Sequence, residues 1–445
     1  MRFWKNWGLR IGEMVHMNNL NGDFRETELG ALPIEWEIAR LDSVLESRLG
    51  KMLSGASRKG VSPRPYLRNA NVRWGKVDLS DLAQMDFNNA ERLEFRLTNG
   101  DILVCEGGEV GRTAVWRDEI SECYFQKAIH RLRPIGERID REFFLYHMMN
   151  AFLISKVYGT VGTTTTIAHL PGIKLKALPI PLPPLLEQRA IARVLSTIQR
   201  AIETQDNLIA TARELKKSLM RQLFTRGLDA NGAVQETEIG LMPEHWELQE
   251  LGAVAEIVYG AQAAVANLKD KNLGIPILTN LNITNQGALD LTTLRYYPVP
   301  ANKRERLVLK KGDLLFNWRS GSQEHVGKTA LFNLDGEYTF ASFILRFRVN
   351  EKLHNTFLHF YLQYLKAQRF FAQKRDQSSV NSVFNASKAE KIPVLLPPLS
   401  EQREIARVLA TVDKKIETEE KRKAALEALF KTMLQNLMTG MIRVK

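Results

Sequence analysis

The chain repeats itself. LPPLLEQRAIARVLSTIQRAIE begins at Leu182, and LPPLSEQREIARVLATVDKKIE begins at Leu396, 214 residues on. A second echo lies upstream of each, ETELGALPIEWEIARL from Glu26 and ETEIGLMPEHWELQEL from Glu236. A chain of 445 residues written this way is two copies of one unit, each a globular segment followed by a long helix. Two copies in one chain imply pseudo-twofold symmetry, and with it a partner or ligand met at two places.

The bulk numbers narrow the partner. At 44% hydrophobic and 25% charged, the composition is that of a soluble globular protein. Two cysteines, Cys105 and Cys123, cannot make a disulfide framework, so a reduced cytoplasmic setting is expected. MRFWKNWGLRIGEMVHMNN at the start lacks the apolar core of a signal peptide, and no run reaches the ~20 apolar residues of a membrane span. A net charge of +12 and a pI near 9.5 favour a polyanionic partner. The charge is spread with no polybasic tail, so any nucleic-acid surface has to come from folded placement of Arg and Lys.

Short β-rich runs with turn signals fill 21–180, DILVCEGG from Asp101 and AIHRLRP from Ala128 among them, before a helical REFFLYHMMNAFLISKVY from Arg141. The second segment keeps the order, with DLLFNW from Asp313, FILRFRV from Phe343 and a helical TFLHFYLQYLKAQRFFAQK from Thr356. Strands followed by helix, without βαβ alternation, predict an α+β fold. IPLPPL and VLLPPL close the globular segments and open the helices. An apolar stripe runs through Ile191, Leu195, Ile198, Ile202, Leu208, Ala212, Leu215, Leu219 and Leu223. Its copy runs through Ile405, Leu409, Val412, Ile416, Leu426, Leu429, Met433 and Leu437. Two matched stripes are expected to bury each other as an antiparallel coiled coil, with helices on the order of 60 Å long. Gly227 and Gly440 are the expected C-terminal stops. Trp36 and Trp246, at equivalent places in a repeated PxxW, are expected in the core.

The paired LPPLxEQRxIARVL blocks, each after a segment headed by ETExGxxPxxW, resemble the specificity subunit of type I restriction–modification systems. The resemblance covers roughly Glu26 to Lys445, and SLMRQLFTRG from Ser218 against TMLQNLMTGM from Thr432 extends it to the helix ends. It implies target recognition domains at 21–181 and 230–395, helical spacers at 182–229 and 396–445, and an arm at 1–20 outside the repeat, where Met14 or Met17 are alternative starts. It further implies that each domain reads one half of a bipartite, asymmetric site in double-stranded DNA. The helix pair would set the spacing and dock two methylation subunits, which carry S-adenosylmethionine and modify adenine. Motor-nuclease subunits would join to cleave unmodified DNA with ATP. No cofactor and no catalytic residue is expected on this chain itself.

The residues agree with that expectation. No [DN]PP[YF] methyltransferase tetrapeptide occurs, and no GxGxxG. GSQEHVGKT from Gly321 misses the phosphate-loop spacing by one residue, and its counterpart GGEVGRTA carries Arg112-Thr113, so both read as turns between strands. The eight histidines and two cysteines show no metal spacing. Base edges and phosphates call for Arg, Lys, Asn and Gln on loops. Three loop regions per half have that composition, beginning at Ser54, Gly107 and Gly159 and at Tyr259, Asn317 and Lys374. The candidates are Arg58, Lys59, Arg64, Arg68, Asn71 and Arg112 in the first half. In the second they are Lys269, Lys271, Arg319, Gln323, Lys374, Arg375 and Gln377. The alternatives are a tandem DNA-binding protein without modification partners, or a coiled-coil scaffold that binds protein rather than DNA.

Overall fold

A computed structural model describes residues 23–55, 62–158, 169–262, 268–373 and 382–444. The chain divides into two compact units. Unit 1 holds the residues up to Asp206 together with those from Lys421 onward, and unit 2 holds Asn207–Glu420. The candidate positions Arg58, Lys59, Lys374, Arg375 and Gln377 lie outside the described residues.

The strands of unit 1 are β1 (Glu37–Arg40), β2 (Leu45–Leu49), β3 (Pro63–Leu67), β4 (Ala83–Asp86), β5 (Ile102–Cys105), β6 (Thr113–Val115), β7 (Tyr124–Phe125), β8 (Ile129–Pro134) and β9 (Pro179–Leu182). Its longer helices are α1 (Arg141–Met149), the first part of α2 (Leu185–Arg226) and the last part of the helix Leu399–Met438. The main sheet is antiparallel in the order β6-β5-β8-β2, beside a smaller sheet ordered β7-β3-β4 and the pair β9-β1. Strand β5 is buried along its whole length and sorts its side chains by the two-residue period. Ile102 and Val104 enter the core shared with α1 and the long helices. Leu103 and Cys105 enter a second core with Leu67, Trp116 and Phe125. Burial pushes the Cys105 thiol up to about 11 and Cys123 up to about 12, so neither is a nucleophile at neutral pH.

Unit 2 repeats the plan with β10 (Glu247–Glu250), β11 (Ala255–Tyr259), β12 (Ile275–Leu278), β13 (Arg295–Tyr297), β14 (Leu314–Asn317), β15 (Thr329–Leu331), β16 (Thr339–Phe340), β17 (Ile344–Val349) and β18 (Pro393–Leu396). Its helices are α3 (Asn355–Ala367), the rest of α2, and the first part of α4 (Leu399–Met438). The sheets are β11-β17-β14-β15, β13-β12-β16 and β10-β18. The α+β expectation holds in both units. Each sheet buries an aspartate on its central hairpin, Asp101 held by Arg133 at 2.6 Å and Asp313 held through both oxygens by Arg348 at 2.7 Å. The expected first helix is shorter than its sequence pattern. It leaves α geometry at Met149 and continues through a π turn at Asn150–Ile154.

The long helices run 42 and 40 residues and stop at Gly227 (φ +68°) and Gly440 (φ +69°), as the glycines predicted. In unit 1, Ile191, Leu195 and Ile198 of α2 share a core with Met433, Leu434 and Leu437 of α4. In unit 2, Met220, Leu223 and Phe224 of α2 share one with Ile405 and Leu409 of α4. The start of each helix thus packs on the end of the other, an antiparallel pairing. The stripe itself needs correction. Leu208 and Leu215 are half-exposed, and the inner face is continued by buried Gln205 and Ile209. The equivalent residue of α4, Glu419, is also buried, and it accepts from Lys415 one turn earlier. Both polar residues fall where the apolar spacing was broken. A straight 3.6-residue helix carries its face through those gaps rather than stepping around them.

The LPPLxEQR motif proves to be a fastening. Gln188 is buried, its amide donating to Arg138 O and Pro183 O while its oxygen accepts from Asp140 N. Gln402 repeats all three bonds, with Lys352 O, Pro397 O and His354 N. Glu187 accepts from the indole of Trp36 at 3.3 Å and from Arg443 at 2.5 and 2.9 Å, and Arg443 also reaches Glu35. In unit 2, Glu401 accepts from Trp246, from Leu228 N and from His245. Both tryptophans are core residues, as expected, and each ties a helix start to the strand hairpin at the head of its unit, Phe24–Thr27 with Gly30–Pro33 in unit 1 and Val234–Thr237 with Gly240–Pro243 in unit 2.

Candidate nucleic-acid interface

The three loop regions singled out in the first half converge, and in the second half the second region meets the exit of the third. In unit 1 the β5–β6 turn carries Gly107, which bridges to His169 at the exit of the third region. Asn69, in the turn that follows β3, donates to Gly107 O at 3.0 Å. In unit 2, Arg319 and Ser320 pair with Val383 and Ser382, again at the exit of the third region. The turn after β12 is joined to the β14–β15 turn by Lys328, whose ammonium donates to Asn280 O and Ile283 O.

Lys328 settles the near-miss phosphate loop. It is 8% exposed and points inward, burial lowering its pKa. Its counterpart Arg112 is equally buried and donates to Asn69 O. The glycine before each has a purely steric task. Gly111 (φ +79°) and Gly327 (φ +82°) lie where an added Cβ would stand 2.3 Å from the rings of Phe152 and Phe371. Replacing either by Ala combines a left-handed strain with an overpacked ring, and about 3 kcal/mol of destabilisation is expected. Gly108 (φ +74°) has nothing within 4 Å of its would-be Cβ, so Gly108→Ala should cost only the backbone part, about 1 kcal/mol. Urea denaturation of the three variants tests the difference.

Among the candidate DNA contacts, Asn71 and Arg112 are inward-facing. Asn71 is 2% exposed, accepts from Arg68 N and donates to Asp78 O and Asp81 O, shaping the turn that carries its neighbours. Asn282 makes the same bonds in unit 2. Arg64 is half-buried, 3.7 Å from Glu122, and Arg68 reaches Asp81 at 2.6 Å. Lys269 and Lys271 are exposed. Arg319 is half-buried, with its guanidinium 5.2 Å from the Phe343 ring. Gln323 lies in the short turn Gln323–His325. The fastening residues Glu187, Gln188, Glu401, Gln402 and Arg443 went unassigned as partners in the sequence. The recurrence of Glu187-Gln188 as Glu401-Gln402 at one offset was the available signal, and Arg443 has no such copy.

Among the described residues no group of three or more His, Cys, Asp and Glu is placed to hold a metal, and no helix is long and apolar enough to cross a membrane. The units do hold buried neutral histidines. His147 contacts the Tyr158 hydroxyl at 2.9 Å, and that hydroxyl donates to Pro179 O. In unit 2, Tyr361 occupies the place of His147 and donates directly to Pro393 O at 2.8 Å.

The family model for the type I restriction modification DNA specificity domain matches twice, over residues 33–212 and 243–428. The chain is 28% identical over 441 residues to a Methanocaldococcus jannaschii protein assigned as the MjaX type I restriction enzyme specificity subunit, covering 95% of this chain and 97% of that one. It is 25% identical over 443 residues to the MjaVIII specificity subunit of the same organism, covering 95% and 96%. The crystal structure of a type I restriction–modification S subunit from M. genitalium shares the fold, with a TM-score of 0.59 at 17% identity over 95% of this chain and 99% of that one.

Proposed function

Because the chain belongs to the type I restriction–modification DNA specificity family, we propose that it reads a bipartite, asymmetric site on double-stranded DNA, one half through each recognition domain (21–181 and 230–395). The spacers (182–229 and 396–445) set the distance between the half-sites and dock two methylation subunits. Those subunits methylate adenine, and motor-nuclease subunits cleave unmodified DNA. The chain supplies recognition and no catalysis. The observation that carries this reading is one scaffold written twice under unlike loops. Asn71 and Asn282, Arg112 and Lys328, and Gln188 and Gln402 keep their bonds, while GGEVGRT faces GSQEHVGKT and Gly107 faces Arg319. Different side chains on matching frames present different donors and acceptors to the groove. Arg58, Lys59, Arg64, Arg68, Lys269, Lys271, Arg319, Gln323, Lys374, Arg375 and Gln377 are the proposed contacts, with Asn71 and Arg112 holding the turns behind them.

Exchanging residues 21–180 for the first recognition domain of another system is expected to change one half-site and leave the other intact. Mapping methylated adenines in a genome carrying the hybrid system reads this directly. A change in both halves would contradict independent reading. Duplex binding that does not weaken with salt would favour the scaffold alternative, since phosphate neutralisation releases counterions.

A further inference from the structure

Unit 2 contains a cleft of about 500 Å³ between α2, α3, α4 and the turn at Asn285–Gln286. Five cations line it, Arg213, Lys216, Lys217 and Arg221 from α2 and Lys366 from α3, against one acid, Asp413. Some of that charge is already committed. Lys216 lies 2.7 Å from Asp413, and Arg213 lies 2.6 Å from Glu420. Lys217 is exposed and no nearer than 3.8 Å to Glu214. Among the described residues neither Arg221 nor Lys366 makes an ion pair within 4.0 Å, and Glu324 is the acid that acts on Lys366 from farther off. Met220, Tyr364 and Ile416 give the cleft an apolar side.

The repeat provides an internal control. The unit 1 residues equivalent to Arg213, Lys216, Lys217 and Arg221, at the 214-residue offset, are Glu427, Phe430, Lys431 and Gln435. Phe430 meets Tyr146 edge-on at 6.1 Å and packs against the unit 1 core. One copy of the frame puts an aromatic ring at the Lys216 position. The other has the cleft there and lines it with positive charge. Shared ancestry of the repeat does not account for four cations on this stretch of α2 where the equivalent stretch of α4 keeps only Lys431 among them.

We propose that the unit 2 cleft is a docking site for an acidic, partly apolar segment of a protein partner. Carboxylates on such a segment meet Arg221, Lys217 and Lys366, and its apolar side chains cover Tyr364 and Ile416. A volume near 500 Å³ suits a few side chains and is too small to take in a double helix. A phosphodiester backbone would use the cations and gain nothing from the apolar side. The proposal is independent of which loops read bases. Its consequence is that identical partner copies docking on the two repeats would meet unlike surfaces, only one of them salt-sensitive at this place.

The test titrates the full chain with a fluorescein-labelled ten-residue peptide of alternating Glu and Leu, read by anisotropy. Binding is expected to weaken about tenfold between low and physiological salt. The double variant Arg221→Glu/Lys366→Glu should lose about tenfold or more. Lys310→Glu/Lys391→Glu, an equal charge change at exposed positions of unit 2 outside the cleft, should stay within about twofold. Arg221→Gln/Lys366→Gln, with an unchanged melting temperature, should give an intermediate loss and so separates docking from folding. Absence of binding, or an equal loss in the Lys310/Lys391 variant, overturns the proposal. Displacement of the peptide by inorganic phosphate or by a 20-base-pair duplex as readily as by unlabelled peptide also overturns it, in favour of a phosphate site.

Discussion

Inserting four residues after Arg200 is expected to leave both half-sites unchanged and to lengthen the gap between them by about one to two base pairs. Four residues add roughly 6 Å to α2 at ~1.5 Å rise each, and B-DNA advances ~3.4 Å per base pair. The upper figure requires α4 to yield fully. A matched insertion after Lys414, the equivalent position of α4, removes that resistance and should give the full two. Four residues also nearly preserve the helical face, so Gln205, Ile209 and Met220 keep their inward phase. Two residues would rotate everything beyond the insertion by about 200°, turning buried Ile209, Leu223 and Phe224 to solvent, and should abolish folding or assembly. Methylation-site mapping for each variant is the measurement. An unchanged gap in the matched four-residue variant would mean that the helices dock partners without setting distance.

Acid is expected to destabilise the protein through two particular side chains. His147 and His359 are buried, and desolvation pulls each imidazole from about 6.5 down to about 3. The neutral form is the folded form. Their contribution is therefore complete above about pH 6.5 and is lost as pH falls toward 3, because the unfolded state takes up the proton first. At pH 5 each should cost about 2 kcal/mol relative to pH 8. His147→Phe and His359→Leu, taken together, should flatten most of this slope in urea unfolding at the two pH values. A double variant as acid-sensitive as the parent would assign the effect to carboxylates elsewhere.

Much of this was legible in the sequence for a physical reason. Elements fixed by local chemistry were visible, including the helix starts after Pro-Pro, the glycine stops and the core tryptophans. The repeat revealed the frame because the same residues recur where the same bonds recur. What escaped notice depends on partners far away in sequence. Nothing in EQR announces that the glutamate receives an indole 151 residues earlier. Leu208 and Leu215 looked like core because leucine usually is, whereas the helical phase buries Gln205 in their stead. Arg112 and Asn71 have the composition of base readers, and only their bonds to nearby carbonyls turn them inward. The basic cleft of unit 2 was invisible because its cations come from two elements about 150 residues apart.

The fastening of Arg443 to Glu35, across 408 residues, has a consequence for synthesis on the ribosome. The earlier half of the chain lacks the last layer of its core until Met433, Leu434 and Leu437 emerge. At ~5–20 residues per second, the roughly 230 residues that separate the end of its own share of α2 from those side chains take about 10 to 50 s. Throughout that interval Ile191, Leu195 and Ile198 lack their α4 neighbours. Among the described residues the main core of the later half contains nothing downstream of Glu420, so that core can close first. The order of translation is thus the reverse of the order of completion, and the waiting half is the one a nascent-chain chaperone would have to shield.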